Sequence, residues 1–266
     1  MIPTQTITTL AACWLSLSDL GASLTEAEWK TATDLPGWSV QDNLSHLIGI
    51  ERMMQGLSAT EHRAPATDYI RNPIGEMNEN EVDARRSLAG ADVLAEWTAL
   101  VEIRNQTLRT ADAAYFAQPA MTPTGPGTLA DFLDVRILDC WLHEQDMRRA
   151  TGHAGNLSGA AAEQTVDRLV RTIPIVVGKR AATPEGAAVA IEIGAGVERS
   201  IICEVQNGRA ALVSAASAPP VATIGLSTEA FITLAGGRRT SDRVPATVAG
   251  DQELGQRVLS KFNMMI

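Results

Sequence analysis

The apolar residues of this chain keep one spacing up to about residue 150 and another beyond residue 187. Leu10, Cys13, Trp14, Leu17 and Leu20 recur at three- and four-residue steps, as do Leu44, Leu47, Ile48 and Met54 after the Pro36-Gly37 turn. Val93, Leu94, Trp97, Leu100, Val101 and Leu108 follow the same rule, and so do Leu129, Phe132, Leu133, Ile137, Leu138 and Trp141. Such spacing lays an apolar stripe along a helix. Four stripes predict an up-and-down four-helix bundle, with Ser39 and Thr128 as N-caps. Asp42 puts a carboxylate near its helix start but is not the Glu or Gln of a strict capping box. Residues 80–90 add a shorter helical segment, 62–73 read as loop, and 119–127 (PAMTPTGPG) as a connector.

The second half changes period. Residues 187–193 (AAVAIEI) and 200–205 (SIICEV) alternate like strands, and Asn207-Gly208 is a hairpin dipeptide. Short strands at 221–225 and 246–248 and helices at 160–173, 227–235 and 251–262 complete an α+β pattern on a mostly antiparallel sheet. The expected fold class is therefore multidomain, α and α+β. A bundle occupies 1–155, ended by Thr151-Gly152-His153-Ala154-Gly155, and a smaller α+β domain occupies 156–266.

Composition narrows the function classes. Residues 1–155 carry 21 Asp+Glu against 11 Lys+Arg, whereas 156–266 carry 10 against 11. An acidic first half is a poor surface for phosphate, so no nucleic-acid partner is expected. Mean hydropathy is zero, and no apolar run approaches the ~18 residues of a membrane helix. The three cysteines, Cys13, Cys140 and Cys203, fit no disulfide framework, and the expected compartment is the cytoplasm. Leu10-Ala11-Ala12-Cys13 has the form of a lipoprotein cleavage box, but residues 1–9 hold no Lys or Arg and are mostly polar. No Gly-x-Ser-x-Gly elbow, Walker loop or Gly-x-Gly-x-x-Gly turn is present.

Chemistry concentrates on two helices. Trp38, Asp42 and His46 repeat every four residues on one face. Asp139, His143 and Asp146 project within about 60° of one another at the helical step of 100° per residue. Faces of this kind can converge inside a bundle and hold a metal. His46, Asp139 and His143 would then be ligands with a fourth position open, as in catalytic rather than structural zinc sites. Asp42 and Asp146 would orient the histidines through their far ring nitrogens. The plainer alternative is a surface Asp-x-x-x-His ion pair. A Cys140–His143 nucleophile pair is a further one, set against a cysteine that is merely buried. Trp38 and Trp141 are read as core or as pocket wall.

At these residues the sequence resembles a family. Residues 36–47 (PGWSVQDNLSHL) and 139–150 (DCWLHEQDMRRA) resemble the two motifs of the mycothiol-dependent maleylpyruvate isomerase family, within the DinB-like four-helix superfamily. Residues 156–266 resemble the sterol-carrier-protein-like domain of many members, including a closing Gly-Arg and Gly-Asp stretch from Ala235 to Leu254. The resemblance implies that His46 and His143 bind zinc or another divalent ion, with Asp139 standing where Glu is common. It implies mycothiol, a thiol of actinobacteria, as cosubstrate, and a metal-bound thiolate that attacks a small electrophile, either isomerising it or remaining attached. Arg238, in the Gly-Arg stretch, is then the candidate catalytic anion holder, with Arg85 and Arg86 behind it. The other readings are a ligand- or partner-binding module without catalysis and a metal-dependent hydrolase that activates water. The expected partners are a small thiol and an electrophile, with no membrane, in a monomer or homodimer.

Overall fold

The computed structural model describes residues 1–123 and 125–264. The chain divides into two compact units, Met1–Gly155 and Asn156–Ile266.

The first unit is built on four long helices. These are α1 (Thr4–Ser23), α3 (Val40–Met54), α5 (Gly90–Thr110) and α7 (Leu129–Thr151). Helix α1 packs on α5 and α7, and α3 packs on the same two, so the four close around one core. Trp14, Trp97 and Trp141 are fully buried in it. Trp141 is thus core rather than pocket wall. Thr128 and Asp131 form a reciprocal capping box at the start of α7, and Gly152 ends it at φ 73°. Only glycine adopts that left-handed conformation without steric cost.

Two shorter elements depart from expectation. Helix α4 (Pro73–Asp83) starts inside the segment read as loop and ends before Arg85 and Arg86. It lies so close to α3 that a Cβ on Gly49 would meet Glu81 at 2.8 Å. Helix α3 is therefore buried from Val40 to Gly49 almost without interruption, not along one stripe. The Pro- and Gly-rich connector forms a hairpin, β1 (Pro119–Thr122) with β2 (Gly125–Thr128); Thr124 within it lies outside the described residues. Two single-turn helices complete the unit, α2 (Glu26–Trp29) and α6 (Ala113–Phe116).

The second unit is a five-stranded sheet in the order β5-β4-β3-β6-β7. Its strands are β3 (Ala188–Gly194), β4 (Arg199–Gln206), β5 (Arg209–Val213), β6 (Ala222–Ser227) and β7 (Ala246–Gly250). Only the central β3–β6 pair is parallel. Asn207 and Gly208 both take positive φ, the turn geometry that matches strand twist. Helices α8 (Ala160–Val170), α9 (Thr228–Ala235) and α10 (Gln252–Leu259) accompany the sheet, with α9 and α10 packed on its strands. The helix expected over 160–173 stops at Val170, and residues Ile175–Arg180 form a π-helical turn.

Candidate metal centre

Helix α7 carries Arg136, Asp139, Cys140 and His143 along one face, and α3 brings His46 opposite. One ligand atom each from His46, Asp139 and His143 can be chosen so that all lie within 4.8 Å of one another. His46 Nε2 stands 3.2 Å from Asp139 Oδ2, and His143 Nε2 stands 3.4 Å from Asp139 Oδ1. Both histidine rings are buried, and their centroids are 4.9 Å apart. Trp38 lies beside both, 5.3 Å from His46 and 6.0 Å from His143. Its indole N–H donates to Glu79 Oε2 at 2.9 Å.

The tautomer of His143 follows from its neighbours. Asn43 Nδ2 donates to the Ser39 carbonyl at 2.8 Å, so Asn43 Oδ1 is the atom that faces His143 Nδ1 at 2.7 Å. Nδ1 must carry the proton it donates there, with Asp146 Oδ2 also 3.4 Å away. In the neutral ring, Nε2 is then a lone pair aimed at a carboxylate oxygen. Two acceptors facing one another call for a proton or a cation between them. The donor set, two imidazole nitrogens and one carboxylate, fits a divalent ion.

Charge in the site agrees. Burial acts to raise the Asp139 carboxyl, but Arg136 and the two histidines outweigh it and hold the group well below the ordinary carboxylate range. Burial, the largest influence on His46, keeps that ring below the ordinary histidine range despite Asp139. At His143 burial works the same way, but hydrogen bonds and charge from Asp139 and Asp146 overcome it and raise the ring. His46 Nδ1 is buried with no hydrogen-bond partner.

The other sequence candidates fall elsewhere. Asp42 accepts from the Ser39 backbone N–H at 2.8 Å while Ser39 Oγ accepts from Asp42 N, so Asp does complete a reciprocal capping box on α3. Its other oxygen lies 3.4 Å from Arg86 Nε, so the carboxylate serves the helix start and that arginine rather than a histidine. Arg85 pairs with Glu81 and Glu96, and Arg86 with Glu79 and Asp83, so neither is an open anion holder. Arg238 lies in the second unit and donates to the Gly236 carbonyl at 2.6 Å. The cysteines are free and buried. Burial holds the Cys140 thiol well above its usual range, although Arg136 opposes it, and pushes Cys13 up to about 12 and Cys203 to about 11. Buried thiols of this kind are inert, which removes the Cys140–His143 pair.

Sequence reasoning missed Asn43 and Arg136. Arg136 lies three residues before Asp139 and seven before His143, on the face already singled out, and its spacing alone could have drawn notice. A cavity of about 60 Å³, walled by Ile50, Met53, Leu57 and Met77, has His46 on its wall. Among the described residues no helix is long and apolar enough to cross a membrane.

Residues 10–148, just over half of the chain, match the family described as Mycothiol maleylpyruvate isomerase N-terminal domain. Two crystal structures of a mycothiol-dependent maleylpyruvate isomerase, one of them a His→Ala mutant, share the fold. Each is 16% identical and aligned over 92% of both chains, with TM-scores of 0.57 and, for the mutant, 0.56. No curated protein sequence matches the chain.

Proposed function

The chain belongs to the mycothiol maleylpyruvate isomerase N-terminal-domain family, and from that premise we propose that it is a mycothiol-dependent metalloenzyme acting on a small electrophile. The observation that carries the reading is the convergence of His46, Asp139 and His143 within 4.8 Å. These three residues would hold zinc or another divalent ion, with mycothiol as cosubstrate. An ion so held favours the thiolate form of a bound thiol at neutral pH, which supplies the nucleophile.

The chain's own groups prepare that chemistry. Asn43 fixes the His143 proton on Nδ1 and leaves the Nε2 lone pair to bind an ion. To serve as a ligand, His143 Nε2 must be unprotonated, so metal affinity falls as the solution is acidified. Trp38, held by Glu79, shields the imidazoles on one side. Arg238, in the second unit, is proposed as a carboxylate-binding residue, a role for which a guanidinium fork is well shaped. A thiolate that adds to an activated double bond and leaves again isomerises it; one that displaces a leaving group stays attached. The electrophile decides which. We further propose that the protein works in the cytoplasm.

Turnover of a small electrophile by the zinc-loaded protein, with mycothiol added or withheld, tests the reading. The expected outcome is turnover that requires the thiol and disappears in Asp139→Ala. Equal turnover without thiol would overturn it in favour of water activation.

A further inference from the structure

Behind the candidate ligands lies a row of buried charges that metal coordination itself does not need. Glu51 on α3 is fully buried, and so are Arg104 on α5 and, to within 2%, Arg136 on α7. Arg104 Nε donates to Glu51 Oε2 at 2.9 Å, and Arg136 Nε donates to Glu51 Oε1 at 2.9 Å. Arg136 Nη1 then donates to Asp139 Oδ2, and Nη2 reaches Cys140 Sγ at 3.5 Å. The signs alternate along the row, Arg104, Glu51, Arg136, Asp139, and sum to zero.

Burying three of these charges, Arg104, Glu51 and Arg136, is costly, and apolar side chains of similar volume would pack a bundle at least as well. What the row achieves is geometric. A guanidinium is planar, and its donors keep a fixed fork. With Nε held on Glu51, the plane of Arg136 is set, and Nη1 meets Asp139 from one direction only. Asp139 Oδ2 is thereby placed toward His46 and Oδ1 toward His143. A lysine has a single nitrogen and cannot present the same fork to both carboxylates.

We propose that Arg136 is a positioning residue for the metal centre: anchored by Glu51, which Arg104 holds in turn, it fixes the Asp139 carboxylate so that each oxygen faces one imidazole before an ion arrives. The proposal rests on the reading of His46, Asp139 and His143 as ligands. Arg104 offers an internal control, because it pairs with the same buried glutamate but does not touch Asp139.

The experiment compares Arg136→Lys with Arg104→Lys. Zinc affinity is read by chelator competition, site geometry by the visible spectrum of the cobalt-loaded protein, and the metal-free site by the ¹⁵N shifts of the His46 and His143 rings. Arg136→Lys should bind zinc at least about tenfold more weakly, with an altered cobalt spectrum, as the loss of an outer-shell partner does. Arg104→Lys should keep zinc affinity within about threefold and leave the cobalt spectrum unchanged, since its partner is a shell further out. In the metal-free proteins the histidine shifts should move only in Arg136→Lys. Wild-type affinity and spectrum in Arg136→Lys, or equal losses in both variants, would overturn the proposal. If the wild type took up neither ion, the ligand reading would fall. The metal-free histidine shifts would then decide this inference, with unmoved rings in Arg136→Lys counting against it. Should Arg136→Lys fail to fold, Glu51→Gln, which loosens the same guanidinium without removing it, takes its place with the same expected loss.

Discussion

Helix α7 in the bundle and strand β3 at the centre of the sheet bury different kinds of side chain. Strand β3 lies between β4 and β6 and buries Ala188, Val189, Ala190, Ile191 and Ile193. Helix α7 buries Leu133, Ile137, Trp141 and Met147, but also Arg136, His143, Glu144, Gln145 and Asp146. Apolar burial is favourable almost wherever it occurs, whereas each buried polar group must find a partner. In α7 some partners come from other helices, Glu51 and Asn43 from α3 and Ser16 from α1 to Glu144 at 2.7 Å, and others from α7 itself, Arg148 to Glu144 and Arg149 to Asp146. The central strand of the second unit needs no such partners, whereas the buried polar groups of α7 depend on theirs.

That contrast can be broken. Glu51→Ala should have the largest effect, because it leaves two buried guanidiniums without their carboxylate. Loss of one partner from a buried pair costs about 3–5 kcal/mol. Urea denaturation reads it, and a loss below about 1 kcal/mol, the scale of an exposed pair, would mean the charges are far better solvated than their burial implies. Asn43→Ala should act on the site more than on the fold. Zinc affinity should drop about tenfold in a chelator competition, in keeping with an outer-shell hydrogen bond.

The legibility of the chain follows the same division. Helices and strands announce themselves through local period, so α1, α3, α5, α7, β3 and β4 could be read from apolar spacing alone. The polar stripes on α3 and α7 were visible for the same reason, since Asp139 and His143 lie one helical turn apart. Partnerships between helices were not. Glu51 lies 53 residues from Arg104 and 85 from Arg136 along the chain. Nothing in a single sequence sets the register of one helix against another. Asp42 shares a helical stripe with His46, but its place three residues after Ser39 makes it a cap, a choice that spacing alone does not decide. The β1–β2 hairpin was hidden by a composition of Pro, Gly and Thr that also describes a loop. Helix α2 did carry a signal, Thr25 followed by Glu28, which form a reciprocal capping box.

Two smaller changes sharpen the contrast. Ile191→Val in β3 should cost about 1 kcal/mol by deleting one buried methylene, and zinc affinity should not move. A coupled loss of zinc would show that the apolar core of the second unit and the site are not independent. Glu28→Gln should have the smallest effect. The half-buried Glu28 carboxylate accepts from the Thr25 backbone and hydroxyl and from His153, which hold it at about 2. A carboxyl depressed in the folded state adds stability above its ordinary value near 4.5, and that stability is lost as pH falls toward 2. The difference in Tm between wild type and Glu28→Gln should therefore be small at neutral pH and shrink on acidification. A difference that grew would reverse the assignment.

Whether three residues from two helices hold one ion is tested by elemental analysis of the purified wild type and His143→Ala after zinc loading and desalting. The expected result is about one zinc per chain in the wild type, as for a single three-residue catalytic site, and none in the variant. A wild type that takes up no zinc, or a variant that retains it in full, would contradict it.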